Sequence, residues 1–154
     1  LISGSVIALD QNPDQRDWLF TDFENRIESA TEELCRFVSS VSGTKPRITA
    51  NDIEVDGQLI KKGDKVMALP IAANYDPAVF DQPEILRLDR FPNPHLSFST
   101  GSHFCLGMQL ARVELQEALR ALYTNHSALR VSGPVTYAKR PGFRGIKYLN
   151  VTLP

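Results

Sequence analysis

The sequence predicts an α+β fold, on three observations. Residues 24–40 and 107–124 both carry apolar side chains at three- and four-residue spacing, which is the periodicity of one helix face. Residues 47–70 and 129–154 instead hold short apolar stretches interrupted by glycine and proline, a pattern typical of strands and hairpins. The chain has 154 residues, a length that suits a single domain or part of a larger one.

Three helices are expected at the start of the chain. Residues 1–10 have the pattern of the last turns of a helix that begins before Leu1. A short second helix is expected after Asn12, because asparagine is a good N-cap and Pro13 suits the first helical position. The third helix, 24–40, is expected to end before Gly43.

Residues 47–70 are expected to form a small antiparallel sheet. Asp56-Gly57 is a hairpin signal between the apolar stretches 53–55 and 58–60, and residues 65–69 are expected to add a third strand. Residues 74–104 contain four prolines and little periodicity. A loop of that length inside a compact domain is usually functional. The helix 107–124 and a strand-like tail follow it.

Composition excludes several classes of protein. The net charge of −1 argues against a broadly basic nucleic-acid binder. The longest apolar run, 66–73, is too short to span a bilayer, and no signal peptide opens the chain. Two cysteines form no disulfide framework, so a reducing, cytoplasmic location is expected. We therefore expect neither a nucleic-acid partner nor a membrane.

The stretch from Phe98 to Gly107 carries the chemistry. Cys105 comes just before a predicted helix, where backbone N–H groups and the helix dipole stabilise a thiolate. Gly101 and Gly107 leave bare backbone on both sides of the sulfur, so a large flat ligand can approach closely. Phe98 can shield the sulfur and His103 offers a donor. An axial cysteine on haem iron needs such surroundings, although a lone cysteine is more often a buried structural residue.

The spacing of these residues identifies a family. It matches F-x-x-G-x-[HR]-x-C-x-G, the haem-ligand loop of the cytochrome P450 family; Ser99 replaces the glycine that commonly follows the phenylalanine. The chain resembles the soluble, bacterial-type members. The resemblance implies haem b (iron protoporphyrin IX) with Cys105 as the metal ligand, and Arg47 and His103 as donors to the haem propionates.

A second motif supports the resemblance. Glu33 and Arg36 form an E-x-x-R pair one turn apart on the third helix, a pattern that alone is weak. In the family, this pair meets an arginine from the loop before the haem ligand, and Arg90 matches that position. The resemblance implies a structural role in retaining haem for these three residues, and also a structural role for His95.

The resemblance covers residues 1–154 and implies the C-terminal part of the cytochrome P450 fold, with helices around a haem site plus small antiparallel sheets. The N-terminal half, with the proton-delivering residues and most of the substrate pocket, is expected outside this chain. No catalytic residue beyond the axial ligand is therefore expected within it. Segments 69–73 and 142–146 are the parts expected to reach the pocket, while Cys35 and His126 are expected to be structural.

Family membership implies a haem-thiolate monooxygenase that inserts one oxygen atom from O₂ into a small organic substrate. Electrons would come from a ferredoxin-type or other electron-transfer protein, for which Arg112 is a candidate contact. One alternative is a catalytically inactive haem-binding or interaction module, which would self-associate or bind a complementary N-terminal half. A cysteine/histidine metal site unrelated to haem is a further alternative, but Cys105 and His103 are too few ligands for zinc.

Overall fold

A computed structural model describes residues 1–153. Its helices and strands, in chain order, are α1 (Ile2–Gln11), α2 (Pro13–Thr21), α3 (Phe23–Val38), β1 (Arg47–Ile48), β2 (Ile53–Val55), β3 (Gln58–Ile60), β4 (Lys65–Val66), α4 (Pro70–Asn74), α5 (Met108–Asn125), β5 (Arg130–Val131), β6 (Thr136–Tyr137), β7 (Ile146–Tyr148) and β8 (Val151–Thr152). A short 3₁₀ helix, Gly101–His103, precedes α5. The predicted α+β class is confirmed.

The core lies where α1, α2, α3 and α5 pack together. The apolar side of α3 is buried against its neighbours, as its three- and four-residue spacing predicts. Fully or nearly fully buried side chains from all four helices form this core, together with leucines from the later loops: Val6, Ala8, Leu9, Leu19, Ile27, Ala30, Leu34, Leu86, Leu88, Leu115, Leu119, Tyr123 and Leu129. The core thus packs α3, which carries the E-x-x-R pair, together with α5, which directly follows the loop 98–107.

Helix boundaries differ slightly from the expected ones. Asn12 does not cap α2 with its side chain; instead its Nδ2 group donates to the carbonyl of Ala8, 2.8 Å away, at the end of α1. The third helix ends at Val38 rather than near residue 40, because Ser39 adopts a left-handed conformation with φ of 42°.

Residues 47–66 form two separate ladders rather than one three-stranded sheet. The β2–β3 hairpin forms as predicted, with Ile53 opposite Ile60. The third strand is shorter than expected, and it pairs with β1. The reason is that Thr49 exchanges backbone hydrogen bonds with the turn that follows the hairpin, its N–H donating to Asp64 and its carbonyl accepting from Gly63. These bonds bring β4 next to β1, and the two strands pair.

The tail is strand-like, as expected, and repeats this nested arrangement, with β5 paired to β8 and β6 to β7. It also contacts the chain just after α3. Ser42 donates its N–H to the carbonyl of Gly142, and the Arg144 N–H donates to the carbonyl of Ser40. Within residues 1–153, no helix is long and apolar enough to cross a membrane.

The segment between α4 and α5 contains turns and one 3₁₀ helix but no strand. It nevertheless contributes Leu86 and Leu88 to the core, and its Arg90 is buried. Long loops usually run over the surface because their backbone polar groups need partners. This one is held inside by side chains from α3, which also form part of the candidate site.

Candidate functional site

The loop 98–107 folds back on itself and presents Cys105 at the surface, shortly before α5 begins at Met108. The backbone N–H of Cys105 donates to the carbonyl of Phe98, 2.8 Å away, and its own carbonyl accepts from the N–H of Met108 at 3.2 Å. Two loop residues have positive φ, Ser99 at 63° and Gly101 at 76°. Ser99 thus occupies the left-handed region that favours glycine, at a cost of about 1–2 kcal/mol.

The surroundings of the sulfur suit a flat, apolar ligand. Cys105 is exposed, and the adjacent Leu106 and Phe104 are 99% and 55% exposed. A Cβ atom built on Gly101 would meet no other atom within 4 Å, and one on Gly107 would come no nearer than 4.0 Å, to the Cys105 sulfur. An accessible thiol beside bare backbone and apolar side chains fits haem, whose iron takes a cysteine ligand.

Phe98 packs against two side chains that lie outside the loop. Its half-buried ring packs inward, with the guanidinium carbon of Arg112 4.8 Å from its centroid and the ring centroid of His95 at 5.8 Å. Cys105 itself is exposed. The carbonyl of Phe98 accepts the Cys105 N–H and so connects this packing to the loop. Shielding of the sulfur by the Phe98 ring stays a prediction.

The two predicted propionate donors lie on different segments. Arg47 is an exposed residue of β1, and His103 is an exposed residue at the end of the 3₁₀ helix. Within residues 1–153, neither side chain takes part in a hydrogen bond or an ion pair. Both side chains are accordingly available to bind carboxylate groups.

Glu33 and Arg36 form a fully buried ion pair. Both side chains are 0% exposed, and Arg36 donates to the two carboxylate oxygens from Nε and Nη2, each at 2.8 Å. Its Nη1 group donates to the carbonyls of Asn74 and Pro83, both at 2.8 Å. A guanidinium matches a carboxylate in this bidentate way because both groups are planar.

The structure brings Arg90 to the same carboxylate. The Nε group of Arg90 lies 3.1 and 3.2 Å from the two oxygens of Glu33, and its remaining N–H groups donate to the carbonyls of Asp81, Gln82 and Ile85. The side chain of Asn93 donates to Glu33 at 3.0 Å. We call Glu33, Arg36, Arg90 and Asn93 the Glu33 network. It ties the segment before the cysteine loop to α3.

Sequence reasoning missed two polar residues that anchor the loop. The buried side chain of Asn74 accepts from the backbone N–H of Leu96 at 2.7 Å and donates to the hydroxyls of Ser39 and Ser97. Glu32 binds His95 and Arg112. In the sequence, Glu32 is marked only by its position next to Glu33. Asn74 is marked only by its position at the end of a short helix.

Arg112 and Cys35 are both engaged inside the chain. Arg112 donates to both oxygens of Glu32, at 2.6 and 2.7 Å, and its side chain is 22% exposed. Its charge is thus largely compensated, so the expected contact with an electron-transfer partner gains no support. Burial raises the pKa of Cys35 to about 12, and this residue packs in the interior as expected.

A cavity of about 470 Å³ lies between α1, the end of α3 and the tail. Phe143, Arg144, Gly145 and Ile146 line it, together with Ile7 and Phe37, so the tail segment 142–146 does border a cavity. The other segment expected to line a pocket, 69–73, contributes nothing to this one. No residue of the cysteine loop borders it either, and the cavity is therefore separate from the Cys105 site.

No group of three or more His, Cys, Asp or Glu side chains in the described part of the chain, 1–153, could hold a metal ion. Cys105 remains as a single accessible thiol. A cofactor that supplies the other ligands of its own metal, as a porphyrin does, fits such a site.

Comparisons with known proteins agree with the motifs. The family model "Cytochrome P450" matches residues 27–132. The putative cytochrome P450 126 of Mycobacterium tuberculosis is 39% identical over 152 residues, which cover 99% of this chain and 36% of that protein. The biotin biosynthesis cytochrome P450 of Bacillus subtilis is 40% identical over 154 residues, 99% of this chain and 38% of that protein.

The fold is shared with solved structures. The crystal structure of P450BioI in complex with hexadec-9Z-enoic acid ligated acyl carrier protein superposes with a TM-score of 0.94 at 38% identity, covering 99% of this chain and 40% of that one. The chain therefore spans about two fifths of the length of the proteins it matches.

Proposed function

The chain belongs to the cytochrome P450 family of haem monooxygenases, and from that premise we propose that it is the cysteine-ligand portion of a haem-thiolate monooxygenase. The observation that carries the proposal is the accessible Cys105 just before α5, held by a 2.8 Å backbone hydrogen bond to Phe98. A thiolate presented in this way donates electron density to haem iron.

The proposed roles follow from the positions of the side chains. Cys105 ligates the iron of haem b, Gly101 and Gly107 allow the porphyrin to approach the backbone, and Phe98 positions the loop. Arg47 and His103, which are exposed and have no partners within residues 1–153, bind the propionates by charge-assisted hydrogen bonds.

The Glu33 network has a structural role in this proposal. Glu33, Arg36 and Arg90 hold the segment before the cysteine loop against α3 and so help to retain the cofactor. The hydrogen bonds that these three side chains make within residues 1–153 all go to other groups than Cys105.

The complete reaction needs components beyond these residues. The haem, when bound, supplies the chemistry that activates O₂ for insertion of one oxygen atom into a small organic substrate. We propose a ferredoxin-type or other electron-transfer protein as the source of two electrons. The fatty-acyl chain carried in the P450BioI complex supports an apolar organic substrate.

The test is the absorption spectrum of the purified protein, reduced and exposed to carbon monoxide. A strongly red-shifted Soret band is expected for the wild type, and Cys105→Ala is expected to lose it. Cys35→Ala is the matched control, because it removes the other thiol, which is buried on α3, and leaves the sequence of the loop unchanged. The proposal is wrong if the band is absent from the wild type, or if it survives Cys105→Ala.

A specific observation favours a second candidate function, an inactive haem-binding or interaction module. Leu106, Leu110 and Val113 at the start of α5 are all more than half exposed, and so much exposed apolar surface marks an interaction site. Such a module would bind haem and self-associate or bind a complementary N-terminal half. Oxygenated product formed with a chemical reductant and an electron-transfer protein would rule out the inactive module. A red-shifted band without product would favour it.

A further inference from the structure

Glu32 joins three elements beneath the cysteine loop. Its carboxylate accepts two hydrogen bonds from Arg112 on α5, at 2.6 and 2.7 Å, and lies 3.1 Å from the Nε2 atom of His95. Burial raises the pKa of Glu32, but the hydrogen bonds from Arg112 and His95 outweigh this effect and lower that pKa to about 2. The carboxylate is therefore ionised under ordinary conditions and can hold both partners.

His95 is fixed in one orientation by its two neighbours. The backbone N–H of Ser97 donates to its Nδ1 atom at 3.2 Å, so the Nε2 atom carries the proton that is donated to Glu32. The side chain of His95 is only 4% exposed. This arrangement defines the path of the chain just before the cysteine loop.

Both partners of Glu32 pack against Phe98, the first residue of the loop. The guanidinium carbon of Arg112 lies 4.8 Å from the centroid of the phenyl ring, which is a cation–π distance. The His95 ring is 5.8 Å away and inclined by 56°. We call Glu32, His95, Phe98 and Arg112 the Glu32 cluster.

The Glu32 cluster reaches Cys105 through the backbone. The carbonyl of Phe98 accepts the N–H of Cys105 at 2.8 Å, and Ser99, the next residue, is held at a positive φ. A shift of Phe98 would therefore change both the loop closure and the position of the thiol. The Glu33 network contacts Asn74 and residues 81–93 instead, so the two adjacent carboxylates of α3 bind different parts of the chain.

We propose that Glu32 is a positioning residue for the Cys105 thiolate, which it orients through Arg112, His95 and the Phe98 carbonyl. This inference rests on the proposed function, in which Cys105 ligates haem iron. Arg112 and His95 lie outside the haem-ligand motif, and Glu32 lies outside the E-x-x-R pair. The proposal gives all three residues a role at the cysteine loop.

The test compares Glu32→Gln with Glu28→Gln in the haem-loaded protein. Glu28 is the matched control, because it is an exposed acid one turn earlier on the same helix. In the reduced carbon monoxide complex, we expect Glu32→Gln to lower the ratio of red-shifted to unshifted Soret absorbance roughly tenfold, the effect of one lost charge-assisted hydrogen bond. Amide hydrogen exchange at Cys105 is expected to accelerate by roughly the same factor. Glu28→Gln should change neither quantity.

Two further variants separate positioning from general stability. Phe98→Leu keeps apolar bulk and leaves the Glu32–Arg112 pair in place, and it is expected to reproduce the spectral shift. Adding Glu32→Gln to Phe98→Leu should then have little further effect, because both changes act on one path. If Glu32→Gln does not fold, Arg112→Lys replaces it, since lysine removes the bidentate bond and the stacked plane but keeps the charge.

The proposal is overturned if Glu32→Gln matches Glu28→Gln in both readouts, or if its effect adds fully to that of Phe98→Leu. A wild-type protein without the red-shifted band would defeat the proposed function instead. In that case exchange at the Cys105 amide decides alone whether Glu32 positions the loop.

Discussion

Replacement of Glu33 by glutamine tests the Glu33 network most directly. One carboxylate oxygen accepts from Arg36 and Asn93, and the other accepts from Arg36 and the backbone N–H of Arg87. The amide of glutamine has only one oxygen. In either orientation its NH₂ group faces two donors, which therefore lose their acceptor, while Arg90 retains a single oxygen.

The expected loss of folding stability follows from the two lost hydrogen bonds. A hydrogen bond to a charged group contributes about 1.5–3 kcal/mol, so two lost bonds give roughly 3–6 kcal/mol. Removing one partner of a buried ion pair costs about 3–5 kcal/mol, which is the same range. Both guanidiniums are almost completely buried, so water cannot compensate them. We expect Glu33→Gln to lower the free energy of unfolding by about 4 kcal/mol.

Urea unfolding, followed by far-ultraviolet circular dichroism and by the fluorescence of Trp18, measures this change. Trp18 is the only tryptophan of the sequence and lies on α2, away from the network. With a slope of about 2 kcal/mol per M, the midpoint should fall by roughly 2 M. Glu28→Gln is the control and should stay within about 0.5 kcal/mol of the wild type. A loss below about 1 kcal/mol in Glu33→Gln would refute the reasoning.

Two other predictions concern single ionisable groups. Burial raises the pKa of Cys35 to about 12, so iodoacetamide at pH 8 should modify Cys105 and leave Cys35 unmodified in the folded protein. Mass spectrometry measures the modification, and modification of both thiols would contradict the burial of Cys35. The lowered pKa of Glu32 stabilises the folded state above its ordinary value of 4.5, and this stabilisation is lost as the pH falls towards about 2. Glu32→Gln should therefore flatten the acid side of the stability profile, and an unchanged profile would contradict the assignment.

Sequence patterns predicted the helices well because each helix is defined by local spacing. The apolar side of α3 is buried as its periodicity indicates, and the Asp56-Gly57 signal locates the β2–β3 hairpin. The E-x-x-R pair and Arg90 were placed together by the family resemblance, since composition alone says nothing of a contact across 57 residues. Such long-range contacts were outside the reach of periodicity.

The missed features depend on tertiary hydrogen bonds. The pairing of β4 with β1 follows from backbone bonds between Thr49 and the turn at Gly63-Asp64, which no residue pattern specifies. Arg112 looked like a surface charge because helical spacing does not show that Glu32 lies opposite it on another helix. The packing of Phe98 against Arg112 and His95 was not predicted for the same reason, since both contacts depend on the tertiary fold.

Arg36 and Arg90 hold the segment after α4 largely through its backbone. This determines which sequence changes the segment tolerates. Besides Glu33, the two guanidiniums bond to backbone carbonyls, those of Asn74, Pro83, Asp81, Gln82 and Ile85. Every amino acid possesses a carbonyl, so substitution of an exposed side chain there leaves the anchors intact. A change in length moves the carbonyls themselves. Descendants of this sequence should consequently tolerate many replacements in this segment and few insertions or deletions.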